Sequence, residues 1–313
     1  MNLITIENGA LIAQIAQHGA ELKRLYSKKT SREYLWNGNR SWKRSSPVLF
    51  PNIGGLAGEV YVHGGVKYPA PAHGFARDMD FELLDRKDES AAFALRDSEE
   101  SWRYFPFHFV LEISYQLEKN GIHVTWNIKN LDNKTMYFSI GAHPGFRLLP
   151  GTSLSDYQLV FDKPILVETR RVKGRYLTEE KELVAPKGTV LPLSPKLMER
   201  DALILEDTGL TRVALQCEKK NYALWVDFPD FPVVAVWTDP HTVEQAEFLC
   251  LEPRCGINAL CGEKPGEIDQ KARVSLAFTF RASGLGSAVG LPSASGKPAA
   301  SSKPSIMPRQ VSA

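Results

Sequence analysis

The segment FVLEISYQL, residues 109–117, decides the fold class, and EKNG and IHVTWNIK continue it to residue 129. In its first part every second residue is apolar: Phe109, Leu111, Ile113, Tyr115 and Leu117. A period of two is typical of a strand with one buried face. The second part alternates in the same way, and Asn120-Gly121 between the two parts is a turn signal. The segment therefore predicts an antiparallel hairpin.

Shorter runs of the same kind occur along most of the chain. We predict further strands at residues 3–7, 10–16, 59–62, 91–95, 135–141, 212–217, 222–228, 233–238, 248–252 and 273–281. Helical patterns are few and short, at residues 98–104 and 195–200. Many strands without intervening helices indicate an all-β protein, built as a large antiparallel β-sandwich with a few short helices. No repeat or linker interrupts the pattern, so we predict one domain over residues 1–281.

The last part of the chain, residues 282–313, differs in composition. Ser, Ala, Gly and Pro make up 22 of its 32 residues, which leaves little apolar side chain to bury, so we predict a disordered tail. The tail has three basic residues and no acid, whereas the whole chain has 38 basic and 36 acidic residues. Without the tail the formal charge changes from +2 to −1, which suits a neutral ligand better than a polyanion.

Several classes of protein lack support in the sequence. The balanced charge argues against nucleic-acid binding, and no apolar run reaches the roughly 18 residues of a membrane span. There is no glycine-rich nucleotide motif and no G-x-S-x-G nucleophile motif, so we expect neither a nucleotide cofactor nor a serine hydrolase. The four cysteines form no C-x-x-C pair, which argues against structural zinc. The first residues lack the pattern of an export signal, so we expect a cytoplasmic protein with reduced thiols.

Three segments place a titratable side chain among apolar or turn residues. His73 lies in AHGFAR, residues 72–77, where glycine and proline neighbours predict a loop. His143 lies in AHPGFR, residues 142–147, at the end of a strand, because Pro144 stops the ladder. Glu252 ends the apolar run FLCLE, residues 248–252, where an unpaired carboxylate is costly to bury. Either Arg254 neutralises this carboxylate, or it is held for proton transfer.

These residue types suit proton transfer. Histidine titrates near neutrality and burial raises the pKa of a glutamate, so one group can remove a proton while the other supplies one. The aromatic residues near these segments suit either a sugar ring or core packing: Trp36, Trp42, Phe75, Phe146 and Trp237. Two histidines and one carboxylate can also form a facial triad for iron, but the spacing of His73, His143 and Glu252 matches no metal-binding motif. Structural roles for both histidines stay open as well.

Six segments, taken in order, resemble the aldose 1-epimerase (galactose mutarotase-like) family. They are SPVLFP at 46–51, HGFARD at 73–78, AHPGF at 142–146, DALI at 201–204, FP at 231–232 with VW at 236–237, and LEP at 251–253. The resemblance covers residues 1–281. It implies the galactose mutarotase-like supersandwich, a mostly antiparallel β-sandwich with the sugar site in a cleft on one concave sheet.

The resemblance also implies an activity, the interconversion of the α and β anomers of a free aldose by acid/base ring opening. Glu252 matches the base that takes the proton of the C1 hydroxyl, and His143 matches the acid that protonates the ring oxygen. His73 matches a histidine that orients the sugar, and Asp201 an acid that binds ring hydroxyls. We expect these groups to converge in an open cleft, with Glu252 and His143 separated by a sugar edge and two hydrogen bonds. No metal or cofactor is implied, and we expect a monomer or homodimer whose partner is a small sugar.

One position departs from the family pattern. Members often carry an arginine shortly after the Phe-Pro segment, where this chain has Gly55, so Arg77 or Arg147 would contact the sugar instead. Two alternative functions follow. One is a mutarotase for a phosphorylated sugar, in which Arg77, Arg147 or Lys67 meets the phosphate. The other is a carbohydrate-binding protein that keeps the cleft with little catalysis.

Overall fold

The computed structural model describes residues 2–39, 41–173, 176–256, 267–268 and 273–283. Its strands in chain order are β1 (Leu3–Glu7), β2 (Leu11–Ala16), β3 (Leu22–Ser27), β4 (Arg32–Glu33), β5 (Val48–Leu49), β6 (Val60–His63), β7 (Val66–Pro69), β8 (Glu82–Arg86), β9 (Ser90–Arg96), β10 (Phe109–Leu117), β11 (Gly121–Asn130) and β12 (Met136–Tyr137). They continue with β13 (Ile140–Ala142), β14 (Gly145–Arg147), β15 (Gln158–Lys173), β16 (Tyr176–Pro192), β17 (Leu203–Glu206), β18 (Arg212–Cys217), β19 (Tyr222–Asp227), β20 (Val233–Trp237), β21 (Phe248–Cys255), β22 (Glu267–Ile268) and β23 (Arg273–Ser283).

Helical structure is sparse among the described residues. There is one α-helical turn, α1 (Pro195–Met198), whose N-cap Ser194 accepts a hydrogen bond from the Leu197 amide. The 3₁₀ turns are Ala57–Glu59, Ala76–Asp78, Ser101–Arg103, Leu154–Asp156, Glu218–Lys220 and Val243–Gln245. In this part of the chain no helix has the length and apolar character needed to cross a membrane.

The strands form two large antiparallel sheets and three smaller ones. The nine-stranded sheet has the order β16-β15-β18-β19-β23-β11-β10-β9-β8. The second large sheet has the order β17-β20-β21-β13-β5, with β14 also paired to β21. A four-stranded sheet has the order β1-β2-β3-β4, and β6-β7 and β12-β22 form two-stranded sheets. The expected β-sandwich is confirmed.

One continuous apolar core joins the two large sheets. Leu111 and Ile113 of β10 and Val234 and Leu251 of the second sheet all belong to one buried cluster. The opposite face of the second sheet carries separate buried clusters, one of which contains Trp36, Phe248 and Cys250. The β-sandwich therefore buries one face of this sheet in the core and leaves the other for different chemistry.

The hairpin at residues 109–129 is confirmed, with a difference at its turn. Leu117 pairs with Ile122, and the amide of Glu118 donates to the carbonyl of Gly121, so Lys119 and Asn120 form the tip. Gly121 itself begins β11, and a Cβ atom there would lie 2.2 Å from the carbonyl oxygen of Phe280. The glycine is thus required for close approach of the neighbouring strand and not for the turn.

Other predictions are confirmed, corrected or incomplete. The predicted strand at 135–141 is wrong as one element, because it divides into β12 and β13. The helical pattern at 98–104 gives only the 3₁₀ turn Ser101–Arg103, and that at 195–200 gives the single turn α1. The long hairpin of β15 and β16 was not predicted, since several register irregularities interrupt its alternation. The domain limit at 281 stays a prediction, and residues 284–313 lie outside the described residues.

Candidate active site

Strand β21 supplies the centre of the site. A strand alternates its side chains, so Leu249 and Leu251 enter the main core while Cys250, Glu252 and Arg254 share the opposite face. These three polar or reactive side chains are buried, and Glu252 has no exposed surface at all. Because burial of a charge without a partner is strongly unfavourable, their surroundings decide what they can do.

His143 is placed opposite Glu252 by a break between two short strands. β13 ends at Ala142 and β14 begins at Gly145, and both pair with β21. Pro144 lies in the break, as predicted, and its carbonyl accepts the amide of Leu251 at 3.3 Å. The His143 Nδ1 atom then lies 3.5 Å from Glu252 Oε1.

Arg254 holds the other oxygen of Glu252. Its Nη2 and Nε atoms donate to Glu252 Oε2 at 2.6 Å and 3.2 Å. Within the described residues Glu252 Oε1 and His143 Nδ1 are both buried without a hydrogen-bond partner. The two alternatives for Glu252 are therefore not exclusive, since Arg254 neutralises one oxygen and leaves the second facing a histidine.

The pKa values of this pair shift in opposite directions. Burial raises the pKa of the Glu252 carboxyl above its ordinary value, and the charge of Asp201 adds to the rise while Arg254 opposes it. Burial lowers the pKa of His143 well below its ordinary value, and the neighbouring His73, Arg254 and Arg77 lower it further, since each disfavours a second positive charge nearby. The charged forms of both groups are thus disfavoured in the free protein.

His73 lies beside His143, with ring centroids 5.6 Å apart. Its Nδ1 atom accepts the amide of Gly54 at 3.1 Å, and its own amide donates to the Gly54 carbonyl at 2.9 Å. Burial and nearby arginines lower the pKa of His73 well below the ordinary value, so the neutral ring carries its proton on Nε2. The turn is left-handed at His73 and Gly74, and a Cβ on Gly74 would lie 2.0 Å from the Phe50 carbonyl oxygen.

Aromatic rings cover this face of the sheet. The Trp42 ring stacks on His143 at 4.9 Å, and Trp237 meets His143 edge-on at 5.5 Å. Phe248 and Trp36 continue the row beyond Trp42, with successive centroids 5.4 Å and 5.0 Å apart. Phe75 and Phe146 instead belong to the main core, which leaves Trp36, Trp42 and Trp237 as the predicted aromatics close to the site.

The described residues do not form the open cleft that was expected around Glu252 and His143. His143 is 6% exposed and Glu252 is fully covered, and the 3.5 Å between them is too short for a sugar edge to lie in line between the two groups. The physical reason is their position directly across from each other on paired segments of one sheet.

The remaining predicted residues, Asp201, Arg77 and Arg147, differ in how they relate to Glu252 and His143. Asp201 precedes β17, its Oδ1 accepts the Ala202 amide at 2.7 Å, and its charge reaches Glu252. Arg77 is turned toward its own loop, where Nη2 donates to the Ala72 carbonyl at 2.6 Å. Burial and the charge of Arg44 lower the pKa of Arg77 to about 10. Arg147 lies over the Trp36 ring at 5.9 Å, at the far end of the aromatic row.

One group in the described part of the chain could hold a metal ion, and it differs from the facial triad considered above. Ligand atoms of His143, Cys250 and Glu252 lie within 4.8 Å of one another, whereas His73 Nδ1 is occupied by the Gly54 amide. Arg254 already binds Glu252, and burial raises the pKa of the Cys250 thiol well above its ordinary value. A cation would face a fixed positive charge and a protonated thiol, so we assign no metal to the group.

The sequence analysis gave Cys250 no role, considered Arg254 only as a counter-ion of Glu252, and named Trp42 without placing it over His143. The first two could have been found, because a period of two from Glu252 along a strand places Cys250 and Arg254 on its face. No local signal places Trp42 over His143, since that contact joins segments a hundred residues apart. Gly145 permits it, because a Cβ there would lie 2.8 Å from the Trp42 ring.

The chain was compared with known proteins. The family model described as aldose 1-epimerase matches residues 2–271. Protein LacX of Lactococcus lactis subsp. lactis, encoded on a plasmid, is 28% identical over 270 residues, which cover 82% of this chain and 88% of the relative. A galactose mutarotase-like protein from Lactobacillus casei is 30% identical with a TM-score of 0.84, covering 90% of this chain and 100% of that one.

A second solved structure, a galactose mutarotase related enzyme from Lactobacillus acidophilus, is 29% identical with a TM-score of 0.84 and covers 91% of this chain and 98% of that one. The residues matched by the family model include all six segments noted above. The chain belongs to the aldose 1-epimerase family.

Proposed function

We propose that this protein interconverts the α and β anomers of a free aldose, with Glu252 and His143 as the acid/base pair. The supporting observation is that Glu252 Oε1 and His143 Nδ1 lie 3.5 Å apart, buried and without hydrogen-bond partners in the described part of the chain. Buried polar atoms are rarely left unpaired, because each costs about 1–3 kcal/mol. A pair of them on one sheet face is consistent with groups kept available for proton transfer.

The pKa directions suggest where the proton of the pair rests. A raised carboxyl pKa and a lowered imidazole pKa bring the proton affinities of the two groups closer together, so that one proton shared by the pair can reside on Glu252 Oε1 or on His143 Nδ1. Transfer of this proton from Oε1 to Nδ1 gives a carboxylate and an imidazolium without changing the number of protons. Since the two groups titrate together, this state belongs to the pair rather than to either residue.

Ring opening then proceeds from the ionised pair. The Glu252 carboxylate takes the proton of the C1 hydroxyl, the C1–O5 bond breaks as C1 becomes a carbonyl, and the imidazolium gives its Nε2 proton to O5. Rotation about C1–C2 and reversal of these steps forms either anomer. Each half-reaction leaves the pair with its original number of protons, so no cofactor or co-reactant is consumed.

Three neighbours would support this chemistry. The Nε2–H of His73 would donate to a sugar oxygen, since its Nδ1 is held by Gly54. Asp201 would accept hydrogen bonds from ring hydroxyls, as the family resemblance implies. Arg254 would act as a positioning residue, because its two hydrogen bonds fix the carboxylate and its charge limits the rise in the pKa of Glu252.

Access to the pair requires movement of a covering group. Trp42 stacks on His143 and is itself partly exposed, which makes its ring the group that can leave toward solvent. We therefore propose that the Trp42 indole swings away when the sugar enters and then packs on the apolar face of the sugar ring. Saturable change of tryptophan fluorescence on addition of galactose, absent in Trp42→Phe, would support this movement.

Polarimetry tests the proposed activity. The optical rotation of fresh α-D-glucose and α-D-galactose is followed with the wild type and with Glu252→Gln and His143→Asn. The Gln variant keeps an oxygen for Arg254, so the site retains a hydrogen-bond acceptor. We expect wild-type acceleration and a loss of about 10²–10⁴-fold in each variant. The matched controls are Glu244→Gln and His241→Asn, which alter exposed residues of the loop between β20 and β21 and should leave the rate unchanged.

Two outcomes would replace this proposal. Saturable sugar binding without acceleration of any free aldose would favour the carbohydrate-binding alternative. Acceleration confined to phosphorylated aldoses would favour the sugar-phosphate alternative.

A further inference from the structure

A cavity of about 400 Å³ lies at the far end of the aromatic row, away from Glu252. Its lining comes from three parts of the chain and includes Thr30, Ser31, Arg32, Arg147, Leu148 and Lys220. The volume falls within the roughly 300–1,000 Å³ of small-ligand sites. The cavity therefore has room for a small ligand.

The charges around this cavity are unbalanced. Arg32, Arg147 and Lys220 line it, and none of the three has a carboxylate partner in the described residues. Glu33 is the one acid in the lining, and Arg24 already pairs with it at 2.6 Å. Three cations without counter-ions therefore converge on one cavity, which favours an anionic ligand.

Two of these cations are held in place by aromatic rings. The Arg32 guanidinium lies 5.1 Å from the centroid of Tyr222, and that of Arg147 lies 5.9 Å from the centroid of Trp36. Such stacking restricts a planar guanidinium while its N–H groups stay available for hydrogen bonds. The hydroxyls of Thr30 and Ser31 supply further donors, and Leu148 an apolar wall.

We propose that this cavity binds a phosphate group, either free or carried by a small ester whose organic part packs on Leu148. Phosphate suits the lining because its oxygens accept paired hydrogen bonds from arginine, which a lysine and hydroxyls extend. Trp36, Phe248 and Trp42 separate the cavity from His143, so this is a second site. It depends on neither the proposed activity nor its residues.

Calorimetric titration of the full chain tests the assignment. Inorganic phosphate, glucose 6-phosphate and gluconate are titrated into the wild type, Arg32→Ala, Arg147→Ala and Lys220→Ala. We expect both phosphate ligands to bind, and each variant to weaken binding by about ten-fold or more. Lys220 is exposed, so its truncation should leave the fold intact. The matched control is Lys119→Ala, an exposed lysine at the tip of the β10–β11 hairpin, which should bind phosphate as the wild type does.

The three titrated ligands distinguish free phosphate from a phosphate ester. Equal affinity for both phosphate ligands indicates recognition of phosphate alone, and tighter binding of glucose 6-phosphate indicates an ester. Gluconate binding as tightly as glucose 6-phosphate would overturn the assignment to phosphate. The assignment would also be wrong if phosphate binding survived all three cavity variants, or if Glu252→Gln rather than the cavity variants removed it.

Discussion

The two faces of strand β21 are both buried, but their side chains have different chemical surroundings. Leu249 and Leu251 lie on one face, within one continuous cluster of buried hydrophobic side chains. Cys250, Glu252 and Arg254 lie on the other, equally hidden from water but surrounded by charges and aromatic rings. Alternation along the strand thus separates a face that stabilises the fold from a face whose buried reactive groups destabilise it.

The comparison teaches that burial has opposite effects on the two faces. On the leucine face burial stabilises the folded state, by about 25 cal/mol for each Å² of apolar surface removed from water. On the glutamate face burial raises the pKa of Glu252 and lowers that of His143, and among the described residues it leaves Glu252 Oε1 and His143 Nδ1 without hydrogen-bond partners. The predictions below alter one face at a time, in order of decreasing expected effect.

Breaking the ion pair on the polar face should have the largest effect on stability. Glu252→Leu removes the carboxylate that accepts two hydrogen bonds from the buried guanidinium of Arg254, and we expect a loss of about 3–5 kcal/mol in the free energy of unfolding. Arg254→Met should cost less, because Glu252 can take up a proton whereas arginine stays charged. Urea unfolding followed by circular dichroism measures both variants.

The double variant Glu252→Leu/Arg254→Met completes this cycle. We expect it to regain most of the stability lost by Glu252→Leu, since neither charge is then buried alone. A double variant as unstable as the sum of the two single losses would show that the two residues do not depend on each other.

Truncation on the apolar face should come next. Leu251→Ala removes a fully buried side chain, and we expect it to lower the free energy of unfolding by about 2–5 kcal/mol. At temperatures where the variant is folded, its rate of mutarotation should stay near the wild-type value. A large loss of rate in the folded variant would mean that the two faces are not independent.

The pH profile of Arg254→Met should change by a smaller amount. The proposed reactive state has one proton on the Glu252–His143 pair, so activity requires a pH above the lower and below the upper pKa of the pair. Arg254 lowers the pKa of both residues, and its removal should raise both values. Both limbs of the rate profile should therefore move to higher pH, by about one unit. A lower rate with unmoved limbs would indicate a purely structural role for Arg254.

Cys250→Ala should have the smallest effect. The thiol is buried and its raised pKa keeps it protonated, so we expect a loss of about 1 kcal/mol from packing and a mutarotation rate within a few-fold of wild type. The folded protein should also show no reaction of this thiol with a thiol reagent. Rapid modification of Cys250 in the native state would contradict its place in the site.

Prediction from sequence succeeded where local pattern and tertiary structure agree. The segment at 109–129 alternates without interruption, so its pairing was predicted, and six ordered segments identified the family. Arg254 was considered only as a possible counter-ion of Glu252, although strand alternation alone places it on that face. The stacking of Trp42 on His143 could not be predicted, because it depends on the packing of segments that are distant in sequence against Gly145.

The order of strands in the nine-stranded sheet has a consequence for synthesis of the chain. β23, which is the last strand in the described sequence, lies between β11 and β19 and pairs with both. Until residues 273–283 have left the ribosome, these two strands keep unpaired edges, and the apolar surface that Phe278 and Phe280 fill stays uncovered. The nine-stranded sheet can therefore close only after β23 has been synthesised, and truncation before residue 273 would expose a surface prone to aggregation.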